Sequence, residues 1–433
     1  MTIQDIYILF RQSKGVVIDS RKIESGVMYV SIKGQNFDGN TFAREAIEQG
    51  AAYAVIDNKG YYVDERTILV EDCLVFLQKL AQYHRVQLGL PVLALTGSNG
   101  KTTTKELISR VLAKKFKTKA TVGNLNNHIG VPLTLLSLTS DEEFAVIEMG
   151  ANHKKEIQIL CDIALPNYGY ITNFGKAHLE GFGGFEGVIE GKSELYDYFR
   201  KYKSAEIQVF VNKDDQLQLR QSFGLNAFTF SESDTLADYV VDKVQLTPFI
   251  TIDFEGMQIV SHLIGWYNVP NILSAIAIGR YFGVGTNQIK EAIEGYIPEN
   301  NRTQLIIKGT NKVLLDAYNA NPSSMKAAID NFLQIDVKSK MIFLGDMFEL
   351  GAESNQEHKC IVEMLDRKDD VLVYFVGNHF YKHKKESSNM MFFENFDQIK
   401  EHLSDKIINE KSILIKGSRG MALERLLEAI RFV

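Results

Sequence analysis

Apolar residues are arranged along the chain in two patterns, a three- and four-residue spacing typical of helices and short continuous runs typical of buried strands. The helical spacing occurs in CLVFLQKLAQYHRVQL at 73–88, and again after Gly100 with Leu107, Ile108, Val111, Leu112 and Phe116. Short continuous apolar runs, such as VLALT at 92–96, are typical of strands that are covered on both faces. Strands that alternate with helices in this way predict an α/β fold with mostly parallel sheets.

The alternation divides the chain into three predicted domains. Residues 1–88 combine the strand-like VMYVSIKG with the helical TFAREAIEQGA and predict a small N-terminal α/β domain. Residues 89–300 predict a central domain with a mostly parallel sheet, whose strands are VLALT, FAVIEMG, YGYITNFG and IQVFVN. The polar PENNRTQ at 298–304 is typical of a linker. Residues 301–433 then alternate again, with strands KVLLDAY, KMIFLGD, VLVYFVG and SILIKG.

Composition excludes several classes of protein. A chain of 433 residues is longer than one hydrophobic core usually supports, which agrees with three domains. Its 45% hydrophobic and 24% charged residues are typical of a folded globular protein. The 48 basic and 54 acidic residues give a net charge of −6, which offers no general attraction for nucleic acid or an anionic membrane. Phosphate groups must therefore be bound by local features.

Cysteine usage and the N-terminus indicate the compartment. Cys73, Cys161 and Cys360 are widely spaced and form no CxxC pair, so neither a disulfide framework nor a zinc site is expected. The N-terminus carries Asp5 where a signal peptide would be basic, and no apolar run approaches about 18 residues. We expect a cytoplasmic protein with no membrane insertion.

The segment TGSNGKTTTK begins at Thr96, the last residue of the strand-like VLALT, and predicts a phosphate-binding loop. Gly97 and Gly100 allow the backbone to approach phosphate oxygens, while the helix N-terminus and Lys101 supply positive charge. Thr102 can bind Mg²⁺. The usual P-loop has a glycine six residues before the lysine, where this chain has Leu95, so the loop is a shortened variant. The alternative is a glycine turn with a surface lysine.

Three ionisable residues lie near the ends of predicted strands or on the helix that follows. Glu148 ends FAVIE, where a second strand would deliver a carboxylate to a metal beside the P-loop; it could instead cap the next helix. His178 follows the strand-like YGYIT, a position at which a histidine is more often structural than a ligand. Lys192, considered alone, is a solvated helix lysine.

Two further segments are rich in asparagine. TVGNLNNHIGVPLT, between two helical stretches, presents Asn124, Asn126 and Asn127 and is either a binding loop for a peptide or sugar, or a connection stabilised by Asx turns. In YNVPNILSA, Asn268 and Asn271 lie at the start of an apolar helix. They could contact an adenine edge or serve as helix N-caps.

Two strand ends in the last third of the chain carry polar groups. In DAYNANPSS, Asp316 ends a strand, and Asn319 and Asn321 precede a helix that begins with proline. KGSRGMALE places two cations and a hydroxyl where a strand becomes a helix, which is either an anion site or a tight turn: Lys416, Ser418 and Arg419.

Taken together, these segments resemble the Mur ligase family over nearly the whole chain. The P-loop variant, ITNFGKAHLEGFG and YNVPNILSA are similar to the superfamily at large, which includes folylpolyglutamate synthetase. DAYNANPSSM, LGDMFELG and KGSRGMALE resemble more specifically the member that uses D-alanyl-D-alanine. One departure is Lys155, where the family usually has glycine; it should affect a helix start rather than the chemistry.

The resemblance implies a three-domain Mur ligase architecture with an N-terminal UDP-sugar-binding domain, a central P-loop ATPase domain and a Rossmann-like C-terminal domain. The implied reaction is ATP-dependent joining of D-alanyl-D-alanine to UDP-N-acetylmuramoyl-tripeptide in peptidoglycan synthesis, with two Mg²⁺ sites. The sequence itself does not determine the oligomeric state, and our expectation is a monomer. The tripeptide could end in lysine or diaminopimelate. Alternatives are another amide ligase of the superfamily, such as the tripeptide-forming ligase or folylpolyglutamate synthetase, and a non-catalytic nucleotide-binding protein.

The resemblance also implies roles for individual residues. The ATP-binding set comprises Gly97, Ser98, Asn99, Gly100, Lys101, Thr102, Thr103, Asn268, Asn271, Arg302 and Asp316. The metal ligands comprise Thr102, Glu148, His178 and Lys192, with Lys192 as a carbamate; Lys101, Glu148, His178 and Lys192 form the catalytic set. The UDP-sugar region comprises Ser20, Arg21, Phe37, Asp38 and Gly39. The other substrate-binding residues are Asn124, Asn126, Asn127, Asn319, Asn321, Lys416, Ser418 and Arg419.

Overall fold

A computed structural model describes residues 1–202, 206, 208–246, 249–299, 301–335, 337, 339–366 and 368–433. Helices and strands alternate through three α/β domains, which confirms the predicted fold class. Ile207, at the start of a predicted strand, and Asn300, in the predicted linker, lie outside the described residues.

The N-terminal domain is built on a parallel sheet of four short strands in the order β1-β2-β5-β6. Its strands are β1 Val16–Val17, β2 Met28–Val30, β3 Lys33–Gly34, β4 Phe37–Asp38, β5 Tyr53–Ile56 and β6 Thr67–Leu69, and its helices are α1 Ile3–Gln12, α2 Ala43–Glu48 and α3 Cys73–Leu88. Strands β3 and β4 form a separate hairpin. Helix α3 coincides with the predicted CLVFLQKLAQYHRVQL and ends at Gly89 in the left-handed conformation.

The middle domain has a seven-stranded parallel sheet in the order β13-β12-β11-β10-β7-β9-β8. These strands are β7 Val92–Thr96, β8 Thr118–Ala120, β9 Phe144–Glu148, β10 Tyr168–Ile171, β11 Val209–Asn212, β12 Ala227–Ser231 and β13 Tyr239–Val240. The helices are α4 Lys101–Leu112, α5 Gly130–Leu136, α6 Glu156–Ala164, α7 Leu179–Phe182, α8 Phe185–Lys201, α9 Gln216–Gln221, α10 Val269–Tyr281 and α11 Thr286–Glu294. An antiparallel sheet of β14 Lys243–Leu246, β15 Ile250–Phe254 and β16 Met257–Val260 completes the domain.

The C-terminal domain has a six-stranded sheet in the order β17-β18-β23-β19-β20-β21, parallel except for β17. The strands are β17 Gln304–Lys308, β18 Asn311–Asp316, β19 Lys340–Gly345, β20 Val371–Val376, β21 Met390–Phe393, β22 Ile407–Ile408, β23 Ser412–Lys416 and β24 Arg431–Phe432. The helices are α12 Pro322–Gln334, α13 Ser354–Leu365, α14 Asn378–Tyr381, α15 Phe396–Leu403 and α16 Leu426–Ala429.

Two local predictions need correction. The asparagine-rich segment does not lie between two helices, because the edge strand β8 precedes it and α5 begins within it, at Gly130. Phe116 was expected on the helix after Gly100, but α4 ends at Leu112, and Phe116 instead packs against the core from the following turn.

One hydrophobic cluster extends through all three domains. It includes Leu77 of the N-terminal domain, Leu135 and Leu160 of the middle domain, and Met325 of the C-terminal domain. Burial of apolar surface therefore fixes the domains against one another. Among the described helices, none is both long and apolar enough to cross a membrane.

Candidate active site

A cavity of about 840 Å³ lies between the middle and C-terminal domains, beside the carboxyl ends of β7, β9 and β10. Ligands commonly bind at this edge of parallel sheets. The middle domain contributes the P-loop, the asparagine-rich loop and the segment from Asn173 to His178. The C-terminal part contributes a second wall that includes Arg302, Asp316, Asn321 and Lys416.

The P-loop requires glycine at two positions. Gly97 has φ 142°, and a Cβ there would lie 2.0 Å from Thr172 Oγ1. Gly100 has φ 78°, and a Cβ there would lie 2.6 Å from Asn271 Oδ1. Both left-handed backbone geometry and close packing thus exclude a side chain. The loop leads directly into α4, whose N-terminal N–H groups favour an anion.

Lys101 lies half-buried at the start of α4. Its ammonium donates hydrogen bonds to the carbonyl oxygens of Gly97 at 2.7 Å and Ser98 at 3.3 Å. Burial lowers the pKa of Lys101, and the like charge of Arg302 lowers it further, against the opposing effect of Glu148. A phosphate between Lys101 and Arg302 would relieve this repulsion.

Glu148 is 1% exposed and has an incomplete set of partners. Oε1 accepts a hydrogen bond from Asn126 Nδ2 at 2.8 Å and lies 3.4 Å from Thr102 Oγ1, whereas Oε2 is buried with no partner among the described residues. A carboxylate beside a hydroxyl suits Mg²⁺. No group of three His, Cys, Asp or Glu side chains that could hold a metal occurs in the described part of the chain. Glu148 does not cap a helix, because α6 begins only at Glu156.

Lys192 is not the solvated lysine that its helix position suggests. It is 1% exposed, and its amine donates to Ala151 O at 3.0 Å and lies 5.1 Å from the centre of the Phe182 ring. Burial, and then the charge of Lys101, hold the pKa of Lys192 well below its ordinary value. Ala151 lines the cavity, so the amine lies directly behind the cavity wall.

His178 lines the cavity at the start of α7, with φ 53°. Its Nδ1 is hydrogen-bonded to a carboxylate oxygen of Glu349 from the C-terminal domain. Glu349 is absent from the predicted site residues, although it belongs to LGDMFELG. The two residues are 171 positions apart, so only the folded structure reveals the pair.

Asn268 and Asn271 are buried at the cavity wall and are hydrogen-bonded to each other. Asn271 Oδ1 also accepts from Thr104 Oγ1 at 3.0 Å, and Asn268 Nδ2 donates to Ile264 O at 2.9 Å. Asn268 occupies the N-cap position of α10 without a side-chain cap hydrogen bond. These amides connect α10 to the P-loop helix, and their contact with adenine stays a prediction.

The asparagine-rich loop contains the Asx arrangement that was one of the two interpretations considered for it. Asn127 Oδ1 accepts from the N–H groups of Ile129 and Gly130, an Asx arrangement at the start of α5. Asn126 holds Glu148, and Asn124 lines the cavity as an exposed residue. Binding of a substrate by Asn124, Asn126 and Asn127 stays a prediction.

The predicted residues of DAYNANPSS form the second wall. Asp316 Oδ2 is paired with the buried Lys416 ammonium at 2.5 Å. Asn321 caps α12, and its Nδ2 donates to Asn99 Oδ1 of the P-loop at 2.7 Å. Asn319 Oδ1 accepts the N–H of Ala320. A direct hydrogen bond therefore links the C-terminal domain to the phosphate-binding loop.

Two arginines contact one aromatic ring at the edge of the cavity. The Arg302 guanidinium carbon lies 3.7 Å from the centre of the Tyr318 ring, and that of Arg419 lies at 5.4 Å. Tyr318 was not predicted from the sequence. Ser418 faces inward, accepting the N–H of Phe348 at 3.0 Å, so of the last predicted anion site only Arg419 is exposed.

The predicted UDP-sugar residues lie apart from this cavity. None of Ser20, Arg21, Phe37, Asp38 and Gly39, all of which are described, lines it. Arg21 forms an exposed pair with Asp19 at 2.8 Å, and Phe37 is 58% exposed on the β3–β4 hairpin. Their role in binding stays a prediction.

Comparison with known proteins agrees with this architecture. Sequence profiles match for the Mur ligase family catalytic domain at residues 12–85, the Mur ligase middle domain at 95–279, and the Mur ligase glutamate ligase domain at 301–419. The UDP-N-acetylmuramoyl-tripeptide--D-alanyl-D-alanine ligase of Bacillus subtilis (strain 168) is 34% identical over 96% of this chain and 92% of its own length. The chain belongs to the Mur ligase family.

Solved Mur ligase structures share the fold. A crystal structure of MurF from Acinetobacter baumannii is 29% identical, with a TM-score of 0.84 and coverage of 99% of this chain and 98% of that chain. MurF ligase from Thermotoga maritima, solved in complex with ADP, is 27% identical, with a TM-score of 0.84 and 97% of each chain covered. The family resemblance seen in the sequence is thus confirmed.

Lys155, the departure from the usual Mur ligase pattern, lies at the N-cap of α6 with φ 71°. A glycine would adopt this left-handed conformation without the steric cost that a lysine incurs. The difference concerns the start of a helix, as expected, and Lys155 is not among the residues that line the cavity.

Proposed function

We propose that this protein is the ATP-dependent ligase that joins D-alanyl-D-alanine to UDP-N-acetylmuramoyl-tripeptide in peptidoglycan synthesis. The observation that carries the proposal is the cavity in which the P-loop, Glu148 and the DAYNANPSS wall meet. Relatives with that name match nearly the whole chain, including the C-terminal domain that carries the more specific segments.

The first chemical step activates the tripeptide carboxylate. Its oxygen attacks the γ-phosphorus of ATP, and the bond from that phosphorus to the oxygen bridging the β- and γ-phosphates breaks. ADP departs, and the tripeptide carboxylate has become an acyl phosphate. Two anions must approach each other, and Lys101 and Arg302 on opposite walls supply the positive charge that allows this. The N-terminus of α4 adds further stabilisation to the phosphates.

The second step forms the peptide bond. The amine of D-alanyl-D-alanine attacks the acyl carbon through a tetrahedral species, inorganic phosphate departs, and the amine loses a proton. Arg419 does not line the cavity itself, but its guanidinium lies 5.4 Å from the ring of Tyr318, which does, and it is suited to the free carboxylate of the dipeptide. Closure of the C-terminal domain onto the middle domain should exclude water and limit hydrolysis of the acyl phosphate.

We also propose that Thr102 and Glu148 hold one Mg²⁺, and that Glu148, His178 and a carbamate on Lys192 hold a second. Bound Mg²⁺ would spread the charge on the phosphoryl oxygens. Burial favours the neutral Lys192 amine, which is the form that reacts with carbon dioxide. The resulting anion would suit a hard cation where an ammonium would not.

The reaction belongs to the cytoplasm, where ATP is available, and Cys73 and Cys161 are buried free thiols as a reducing compartment allows. We further propose that the protein is a monomer.

Phosphate release from ATP tests the proposal. Release should require both UDP-N-acetylmuramoyl-tripeptide and D-alanyl-D-alanine, and mass spectrometry should show the pentapeptide product. Tripeptides ending in lysine and in diaminopimelate are compared in parallel. Glutamate or a folate as the effective substrate would indicate another ligase of the superfamily, and no release with any pair would contradict the proposal.

A further inference from the structure

His178 and Glu349 form a hydrogen-bonded pair across the boundary between two domains. His178 starts α7 of the middle domain, and Glu349 lies in the loop after β19 of the C-terminal domain. The imidazole Nδ1 contacts the carboxylate, and the backbone N–H of Glu180 donates to Glu349 O at 3.2 Å. The segment from His178 to Glu180 therefore makes two hydrogen bonds to Glu349, one to its side chain and one to its backbone carbonyl.

Both members of the pair have unfavourable backbone conformations. His178 has φ 53° and Glu349 has φ 61°, in the left-handed region that non-glycine residues rarely adopt. Such strain persists only where the surrounding structure imposes it, and it is concentrated at functional sites. Two strained residues that are hydrogen-bonded to each other indicate that the contact between them has a function.

The loop that carries Glu349 is firmly held. The N–H of Met347 donates to His358 Nε2 at 3.0 Å, and the N–H of Phe348 donates to Ser418 Oγ at 3.0 Å. Asp346, 2% exposed, accepts the N–H groups of two residues at the start of α14. The C-terminal domain thus presents Glu349 to His178 from a fixed position.

A carboxylate that accepts from Nδ1–H fixes both the tautomer and the plane of an imidazole. Nε2 of His178 is then left with its lone pair, on a residue that lines the cavity. We propose that Glu349 is a positioning residue for His178, and that His178 becomes a competent ligand only when the C-terminal domain is docked. This inference rests on the proposed function, since it assigns His178 to the metal.

Two substitutions separate the hydrogen bond from the fold. Glu349→Gly removes the carboxylate and suits φ 61°, so the melting temperature should equal or exceed that of the wild type. Glu349→Gln keeps an acceptor for Nδ1–H. Glu353→Gln, four residues further along, is the matched control for loss of a nearby negative charge.

The tautomer of His178 is read from ¹H–¹⁵N spectra of protein with ¹⁵N-labelled imidazoles, assigned with His178→Asn. Wild type, Glu349→Gln and Glu353→Gln should show the Nδ1–H form, and Glu349→Gly a mixture. With Mn²⁺ alone as the probe, electron paramagnetic resonance should show binding weakened about 10- to 100-fold in Glu349→Gly, and near wild type in the other two.

An unchanged His178 tautomer in Glu349→Gly overturns the proposal, whatever the Mn²⁺ affinities. The proposal is also overturned if Glu353→Gln weakens Mn²⁺ binding as much as Glu349→Gly does, because the effect would then come from the loss of any nearby negative charge. Failure of the wild type to release phosphate with D-alanyl-D-alanine would count against the proposed function instead, and the tautomer measurement would still decide the role of Glu349.

Discussion

Two lysines near the cavity differ in how their amines are accommodated. Lys101 donates to two carbonyls of its own loop, so its charge has partners before any phosphate arrives. Lys192 has one carbonyl partner and an aromatic ring, and its burial favours the uncharged amine. The same side chain is therefore suited to electrostatic stabilisation at one position and to modification at the other.

Lys101→Ala should leave the fold intact and lower turnover by more than about a hundredfold, because the lysine neutralises charge that grows on the transferred phosphoryl group. Phosphate release at saturating substrates measures the loss. Lys114→Ala, a surface substitution near the other end of the same helix, is the control. Near-normal turnover in folded Lys101→Ala would show that ATP is bound elsewhere.

Lys192→Ala should lose most activity, and formate or acetate should restore part of it by supplying a carboxylate at the vacated position. Lys201→Ala, an exposed lysine at the end of the same helix, should behave as wild type. Activity is measured against acid concentration at constant ionic strength. Full activity in Lys192→Ala contradicts the carbamate, and an inactive variant without rescue gives it no support.

Helix α3 joins the N-terminal and middle domains through a buried histidine. His84 is 0% exposed, with Nδ1 3.0 Å from Tyr7 Oη and Nε2 2.9 Å from Leu138 O. Burial lowers the pKa of His84 below its ordinary value of 6.5. The neutral imidazole is thus held between a donor and an acceptor, and protonation at low pH would remove the acceptor that the Tyr7 hydroxyl uses.

The free energy of unfolding should fall as the pH drops from about 7 to 5, because the unfolded state takes up a proton on His84 that the folded state resists. In His84→Leu this fall should be smaller, although the variant is less stable above pH 7, having lost two hydrogen bonds. Urea unfolding at several pH values measures both. His262→Leu, at an exposed position, should keep the wild-type dependence of the free energy of unfolding on pH. If His84→Leu also keeps it, His84 is not the source of the loss of stability in acid.

Local elements were predictable from the sequence, and contacts between distant elements were not. The P-loop follows from an apolar strand, two glycines and an amphipathic helix within 21 consecutive residues, Val92 to Leu112. The β15 strand, Ile250–Phe254, was not predicted; it lies in a separate antiparallel sheet with β14 and β16, outside the strand–helix alternation on which the prediction relied. The Asn99–Asn321 hydrogen bond joins residues 222 positions apart, and nothing in either local sequence specifies the partner.

At the scale of the molecule, acceptor choice should depend on the C-terminal domain, which brings Arg419 to the Tyr318 ring. Arg419→Ala should raise the KM for D-alanyl-D-alanine about 10- to 100-fold, the cost of a lost charged hydrogen bond, and change the KM for ATP far less. Initial rates with each substrate varied in turn measure the two constants.

Arg425→Ala is the matched control, because Arg425 lies on the following turn and stacks on Phe396 instead. It should leave both constants unchanged. An equal rise in the KM for ATP with Arg419→Ala would assign Arg419 to phosphate binding or to structure, and acceptor choice would then have to lie with other residues.

The hydrogen bond from Asn321 to Asn99 closes the P-loop side of the cavity with a residue of another domain. A molecule that occupied both walls would have to wait for the domains to separate before it could leave. Its residence time would then be set by the rate of domain opening rather than by the strength of its contacts alone. Inhibitors that contact both the middle and the C-terminal domain should accordingly dissociate slowly. They should dissociate faster from Asn321→Ala than from the wild type, even when their equilibrium affinities for the two proteins are similar.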